Sequence, residues 1–200
     1  MLRWLTAGES HGPQLTVLIE GLPAGLELST EDLRRDLARR QGGHGRGGRQ
    51  QIETDRARIV AGVRGGYTLG SPLALVLENR DHANWTAEMT ADKEGFAPKP
   101  VTRVRPGHAD LAGALKYNHS DVRNVLERSS ARETAARVAA GGVARKLLSE
   151  FDVRIFSFTQ SIGIVDVGYD AFDPATVDLE EIESSPVRCP DPVAAQRMVA

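Results

Sequence analysis

The apolar run at 15–20 (LTVLIE) predicts a strand, and GLPAG at 21–25 predicts the turn that follows it. Over 29–41 the pattern becomes helical. Leu33 and Leu37 share a face, Ser29 and Asp32 have capping-box spacing, and Gly42-Gly43 marks the end. Residues 58–63 and 72–78 are strand candidates, and 92–100, with two prolines and mixed charge, reads as a loop. The clearest helix is 131–150, where Ala135, Val138, Ala139, Val143 and Leu147 recur at spacings of three and four. Ser130 is its expected N-cap, and Glu133 completes an S-x-x-E capping box. Gly141-Gly142 inside that helix costs about 1 kcal/mol per glycine relative to alanine, and is read as permitting close packing. The alternating stretch 153–160 (VRIFSFTQ) predicts a strand, and 192–200 opens a helix within which the sequence stops.

The chain has 200 residues, enough for one domain with a real core. Its 25 basic and 27 acidic residues give a net charge of −2, which argues against a general polyanion binder. A single cysteine, Cys189, excludes an internal disulfide and fits a reducing cytoplasm. No apolar run reaches the roughly 18 to 20 residues of a membrane helix, and the N-terminal residues lack a signal peptide's apolar stretch. Four of the 25 basic residues are Lys and the remaining 21 are Arg. A GC-rich genome gives such a bias, and so does a need for planar forks that grip phosphates and carboxylates. Position separates the two. Eight Arg and only three acids lie between Arg34 and Arg58, which looks like an anion site. Eight acids and only Arg188 lie between Asp166 and Asp191, which looks like a solvated surface segment.

Four motifs carry candidate chemistry. GESHG (8–12) matches the G-x-S-x-G elbow of hydrolases, but that elbow needs a helix after the serine, and here Pro13 and a strand follow. Ser10 and His11 instead sit on a Gly-flanked turn where backbone can approach a ligand, and His11 either donates a proton at neutral pH or is an exposed turn histidine. GGHGRGGR (42–49) contains a formal G-x-G-x-x-G that follows a helix rather than a strand, so it is not a dinucleotide fingerprint. A glycine loop carrying Arg46 and Arg49, just after Arg39-Arg40, suits an anionic ligand or forms a solvated basic loop. An RNA-binding Arg-Gly segment would repeat and pair with aromatics, and this one does neither. In RPGHAD (105–110) a Pro-Gly turn places His108 near a helix N-terminus, as a proton-handling group or a simple cap. RSSARET (128–134) opens the clearest helix with serine hydroxyls, two Arg and free N–H groups, an anion cradle or an ordinary cap. His82 and His119 lack metal-ligand spacing and are read as structural.

GESHG, RPGHAD and RSSARET, with ARRQGGHGRGGR (38–49) and KYNHSDVRNVLE (116–127), together resemble chorismate synthase in order and spacing up to about Gly163. The resemblance implies an α+β fold, a layered β/α/α/β sandwich of which this chain, one domain over 1–200, covers roughly one β/α half. It implies a lyase that converts 5-enolpyruvylshikimate 3-phosphate to chorismate and phosphate by anti 1,4-elimination, with reduced FMN and no net redox change. On this resemblance His11 protonates the leaving phosphate and His108 protonates the reduced flavin. Ser10, Arg40, Arg46, Arg49, Arg105 and Arg132 match substrate-binding positions. Arg128, Ser129 and Ser130 match a flavin-binding segment, and Arg40 and Arg46 match positions associated with NADPH. A small phosphorylated substrate, no nucleic acid or membrane partner, and a cytoplasmic homotetramer follow as expectations. Gly48 stands where many members carry arginine. The family also runs to about twice this length, which implies that the 200 residues alone are inactive. It further implies that the apolar helix face from Ala135 to Leu147 lacks its covering layer. The alternative from another class is a non-catalytic phosphate- or RNA-binding module.

Overall fold

A computed structural model describes residues 1–47, 52–168 and 177–200. Its strands are β1 (Arg3–Ala7), β2 (Gln14–Glu20), β3 (Ala24–Glu27), β4 (Ala57–Ala61), β5 (Val63–Arg64), β6 (Tyr67–Leu69), β7 (Leu73–Glu78), β8 (Ser161–Ile162) and β9 (Val165–Asp166). Its helices are α1 (Thr30–Gln41), α2 (Asp110–Tyr117), α3 (Arg123–Ser129), α4 (Thr134–Ser149), α5 (Leu179–Ser184) and α6 (Pro192–Val199). An antiparallel sheet in the order β1-β2-β7-β4 forms the base.

Strand alternation explains which face of that sheet is buried. Leu15, Val17 and Ile19 of β2 lie directly opposite Leu77, Leu75 and Leu73 of β7, so six large apolar side chains share one face. α1 covers them with Leu33 and Leu37, and α4 covers them with Ala135, Ala136, Ala139, Ala140 and Val143. α1 and α4 also pack on each other, and a Cβ on Gly142 would stand 3.0 Å from Leu33 Cδ2. That close approach is the packing role read for one of the paired glycines. Gly141, its neighbour, faces open space.

The expectation of an uncovered α4 face is therefore corrected. Small alanines let α4 settle onto the sheet, and its apolar residues as far as Val143 are in the core. The open layer is the opposite face of the sheet, where Leu5 and its cross-strand partner Leu18 stay exposed along with Val60.

Caps follow the sequence in α1 and depart from it in α4. In α1, Ser29 N–H donates to Asp32 Oδ2 at 2.7 Å, and Asp32 N–H donates to Ser29 Oγ at 3.4 Å. Residues 131–133 form a 3-10 turn before α4 begins, and Ser130 Oγ caps that turn at Arg132 N–H. The predicted capping box does not close because Glu133 is taken elsewhere. It accepts from Thr6 Oγ1 at 2.7 Å and from Arg137 Nε at 2.6 Å.

Two further expectations change. Residues 153–160 have the alternation of a strand but join no ladder among the described residues, and alternation alone does not hold a strand without a partner. Val153, Ile155 and Phe156 are left exposed there. The acidic C-terminal segment is not simply solvated, for Ile182 and Cys189 are buried. Arg188, with a left-handed φ of 55°, donates through Nη2 to Arg39 O and Gly42 O, which caps the carboxyl end of α1. No helix among the described residues is long and apolar enough to cross a membrane.

Candidate active site

The GESHG turn joins β1 to β2, and its shape depends on Gly8. That residue has φ 106°, and a Cβ there would run into Gln14 O. Asn79, 5% exposed at the end of β7, fixes the turn from below. Its Nδ2 donates to Glu9 O at 3.0 Å and to Gly12 O at 2.8 Å. Ser10 is buried, its N–H donates to Glu127 O at 2.9 Å, and its hydroxyl lies 3.0 Å from Ser130 Oγ. A strand follows this serine, so the structure agrees that the motif is no nucleophile elbow.

His11 is held on several sides. Its backbone N–H donates to Glu127 Oε2 at 2.8 Å, and its Nδ1 lies 2.9 Å from both oxygens of that carboxylate. Trp85 packs on the ring with centroids 4.2 Å apart, and Asp81 Oδ2 lies 3.7 Å from Nε2. His82 Nδ1 donates to His11 O at 2.9 Å, so His82 has the structural role read from its spacing, one residue beyond Asp81. Arg123 lies one turn before Glu127 on α3. Its Nη1 reaches Glu127 Oε1 at 3.4 Å, and its guanidinium lies 5.1 Å from the Trp85 ring centroid. Burial pushes the Glu127 carboxyl up, but hydrogen bonds from the His11 ring and N–H, with the charges of His11 and Arg123, hold it below the usual carboxylate range.

His108 is held by a different acid. Its Nδ1 bonds Asp110 Oδ1, while Asp110 Oδ2 accepts from Arg105 N–H at 2.8 Å. Arg105 Nη2 stands 3.1 Å from His108 Nε2. An arginine can only donate, so Nε2 is the acceptor in this arrangement and the ring proton sits on Nδ1. Asp110 is fully buried at the start of α2. Burial raises its carboxyl, and the Arg105 N–H and His108 ring outweigh that and bring it below the ordinary value. α2 then packs on α3 so tightly that a Cβ on Gly113 would overlap the Val125 side chain.

The arginines divide into committed and available groups. Arg132 is 5% exposed, and its guanidinium bonds Asp55 Oδ1, Asn79 Oδ1 at 2.8 Å and Glu78 O at 3.2 Å. Arg40 takes the other oxygen of Asp55 at 3.0 Å and also donates to Thr134 Oγ1 and Ala131 O. Both were expected to grip a ligand. Here the buried Asp55 draws them inward, because a desolvated carboxylate requires countercharge. Burial, with the nearby Arg132 and Arg46 charges, lowers the Arg40 guanidinium from its ordinary value against the pull of Asp55. Arg46 and Arg105 are exposed, although Arg46 Nε donates to Gly42 O at 3.0 Å. Arg128 donates to Thr6 O at 2.9 Å and Thr6 Oγ1 at 2.7 Å while its side chain stays 42% exposed, and Ser129 is exposed beside it. Arg49 and Gly48 lie outside the described residues.

The structure thus ties GESHG to RSSARET through the Ser10–Ser130 pair and through Asn79, which joins the turn to Arg132, while Arg40 of α1 bonds Ala131 O and Thr134 in the same segment. Sequence reading missed Glu127, Asp81, Trp85, Asn79 and Asp55. Only the Arg123–Glu127 pair carried a readable signal, an i,i+4 spacing of opposite charges.

The family model for chorismate synthase matches residues 2–200. A chorismate synthase of Symbiobacterium thermophilum is 56% identical, over 99% of this chain and 52% of its own. One from Bacillus subtilis is 55% identical, over 100% of this chain and 52% of its own. A solved structure titled "Crystal Structure of Chorismate Synthase" is 42% identical, with a TM-score of 0.72 over 98% of this chain and 51% of its own. The chain therefore spans about half the length of the curated relatives it matches.

Proposed function

Since the chain belongs to the chorismate synthase family, we propose that it forms the half of that enzyme which handles protons and anions in the elimination of phosphate from 5-enolpyruvylshikimate 3-phosphate. What supports the reading is one observation: residues far apart in sequence converge on a single turn. Ser10 meets Ser130 and His11 meets Glu127, while Arg40 bonds Ala131 O and Thr134 beside them.

In the reaction the C–O bond to phosphate breaks, a basic group of the complete site takes a proton from the ring carbon at the far end of the 1,4 system, and the electron pair of that C–H bond forms the new double bond of chorismate. His11 gives a proton at Nε2 to the departing phosphate, while Glu127 keeps the ring in place. The exposed Arg46 and Arg105, with Arg49, hold the substrate's phosphate and carboxylates as bidentate forks. Arg40 and Arg132 pair with Asp55 beside this turn and add their charge to the same anion site. His108 is the second proton-handling group, and Nε2 is the atom that takes or gives the proton.

A flavin mononucleotide would find matching donors in the 128–130 segment. Arg128 and Ser129 are exposed donors side by side and suit its phosphate. Ser130 is already used by Ser10 and Arg132 N–H and supports the segment instead. When bound, a reduced flavin would supply electron density to the substrate ring and recover it. NADPH at Arg40 and Arg46 and a homotetrameric assembly complete the proposal.

The test is anaerobic phosphate release from the substrate with reduced FMN. A polypeptide of the family's full length carrying this sequence is expected to be active. The 200 residues alone are expected to be inactive. Turnover by the 200 residues, or none by the full-length chain, sinks the reading.

A further inference from the structure

We infer that Glu127 is a positioning residue for His11, and that its carboxylate holds the ring's Nδ1 proton so that the proton His11 exchanges is the one on Nε2. This rests on the reading of His11 as a proton donor. The geometry is specific. A carboxylate oxygen accepts, so an Nδ1 lying 2.9 Å from both oxygens must carry its proton to bond there. The same group accepts the backbone N–H of His11 at 2.8 Å, which fixes the residue's main chain and ring with one side chain.

The groups facing the ring agree with this. Arg123 on α3 pairs with Glu127 at 3.4 Å and favours its ionised form. Trp85 covers a face of the ring, and His82 fixes the His11 carbonyl, so the ring is restrained against turning over. On the far side, Asp81 Oδ2 at 3.7 Å from Nε2 is a carboxylate, which pairs with that nitrogen only when it is protonated. Glu127 thus orients an imidazole through Nδ1 and leaves Nε2 for exchange, as the buried acid of a catalytic triad does for its histidine. Glu127 itself is buried and acts only through His11.

Nitrogen-15 and proton NMR of the His11 ring in the 200-residue chain tests this without any turnover. The wild-type neutral ring is expected to show a hydrogen-bonded proton on Nδ1 and none on Nε2. Neutral His11 with its proton on Nε2 overturns the proposal, and this result needs no variant. Glu127→Gln offers one acceptor oxygen where the carboxylate offers two, so the Nδ1–H signal is expected to vanish or become a mixture of tautomers. Ring shifts unchanged in that variant also overturn it. In the full-length enzyme Glu127→Gln is expected to lower kcat by about 100-fold with KM little changed. Loss of the tautomer with kcat intact would leave the positioning standing and refute the role given to His11 in the reaction.

Discussion

Around His11 the supporting carboxylate comes from 116 positions away, and around His108 it comes from two. Both acids are buried, both accept from Nδ1, and both also accept a backbone N–H, from His11 itself in one case and from Arg105 in the other. The outer nitrogens have opposite surroundings. His11 Nε2 looks toward Asp81, whereas His108 Nε2 accepts from Arg105. A carboxylate can only accept a hydrogen bond from such a nitrogen, and an arginine can only donate one to it. One clamp is thus repeated with different neighbours at the outer nitrogen. It also makes the His11 site dependent on the whole fold, while the His108 site is nearly closed within one hexapeptide.

The largest effects should come from removing either ring. In a full-length chain, His11→Ala and His108→Ala are each expected to cost about 10²- to 10⁴-fold in turnover, the range for losing a positioned general acid or base. Phosphate release with reduced FMN measures it. If one variant keeps most of its activity, the symmetry between the two clamps is only structural.

Acidification should separate the clamps less severely. The folded carboxyls of Glu127 and Asp110 both ionise below their ordinary values. The stability they contribute is therefore fully present above the unfolded values of about 4, and is lost as pH falls through the folded ones. The thermal midpoint of the wild type should drop on acidification below about pH 4. Glu127→Gln and Asp110→Asn should each flatten that drop. Equal slopes in variant and wild type would mean that the carboxylate in question carries no linkage. At neutral pH, Glu127→Ala strands the His11 N–H and ring donor and is expected to cost about 1–3 kcal/mol, read as a lower denaturant midpoint.

The same contrast explains what could be read from sequence. Asp110 lies inside RPGHAD, whereas nothing in the order of residues points Glu127 at His11. The strand at β2, the capped helix α1 and most of α4 were legible because alternation, capping residues and helical spacing are local. β1, whose five residues are mostly exposed, gave no such signal and is held by its ladder with β2. Residues 153–160 failed in the opposite way, since they have a strand pattern but no pairing partner among the described residues. Arg40 and Arg132 were read as anion-binding from the motifs they sit in, and nothing in the order of residues shows that Asp55 is buried between them.

The smallest effects test how the two clamps are joined. α2 carries the His108 pair and α3 carries Glu127, and the two helices meet where Gly113 faces Val125. A methyl at 113 has no room, because Val125 is β-branched and buried and has little rotamer freedom to yield. Gly113→Ala should therefore cost about 1–3 kcal/mol, as overpacking does, and should shift the NMR signals of both histidine rings. Gly141→Ala is the matched control. It lies within α4 facing open space, so it gains helix propensity without a clash and should stabilise by about 0.5–1 kcal/mol. Chemical denaturation of the pair gives the comparison directly. If Gly113→Ala leaves stability and the Glu127-bound ring of His11 unchanged while perturbing only His108, the two clamps are mechanically independent, and the contact of α2 with α3 carries no coupling between them.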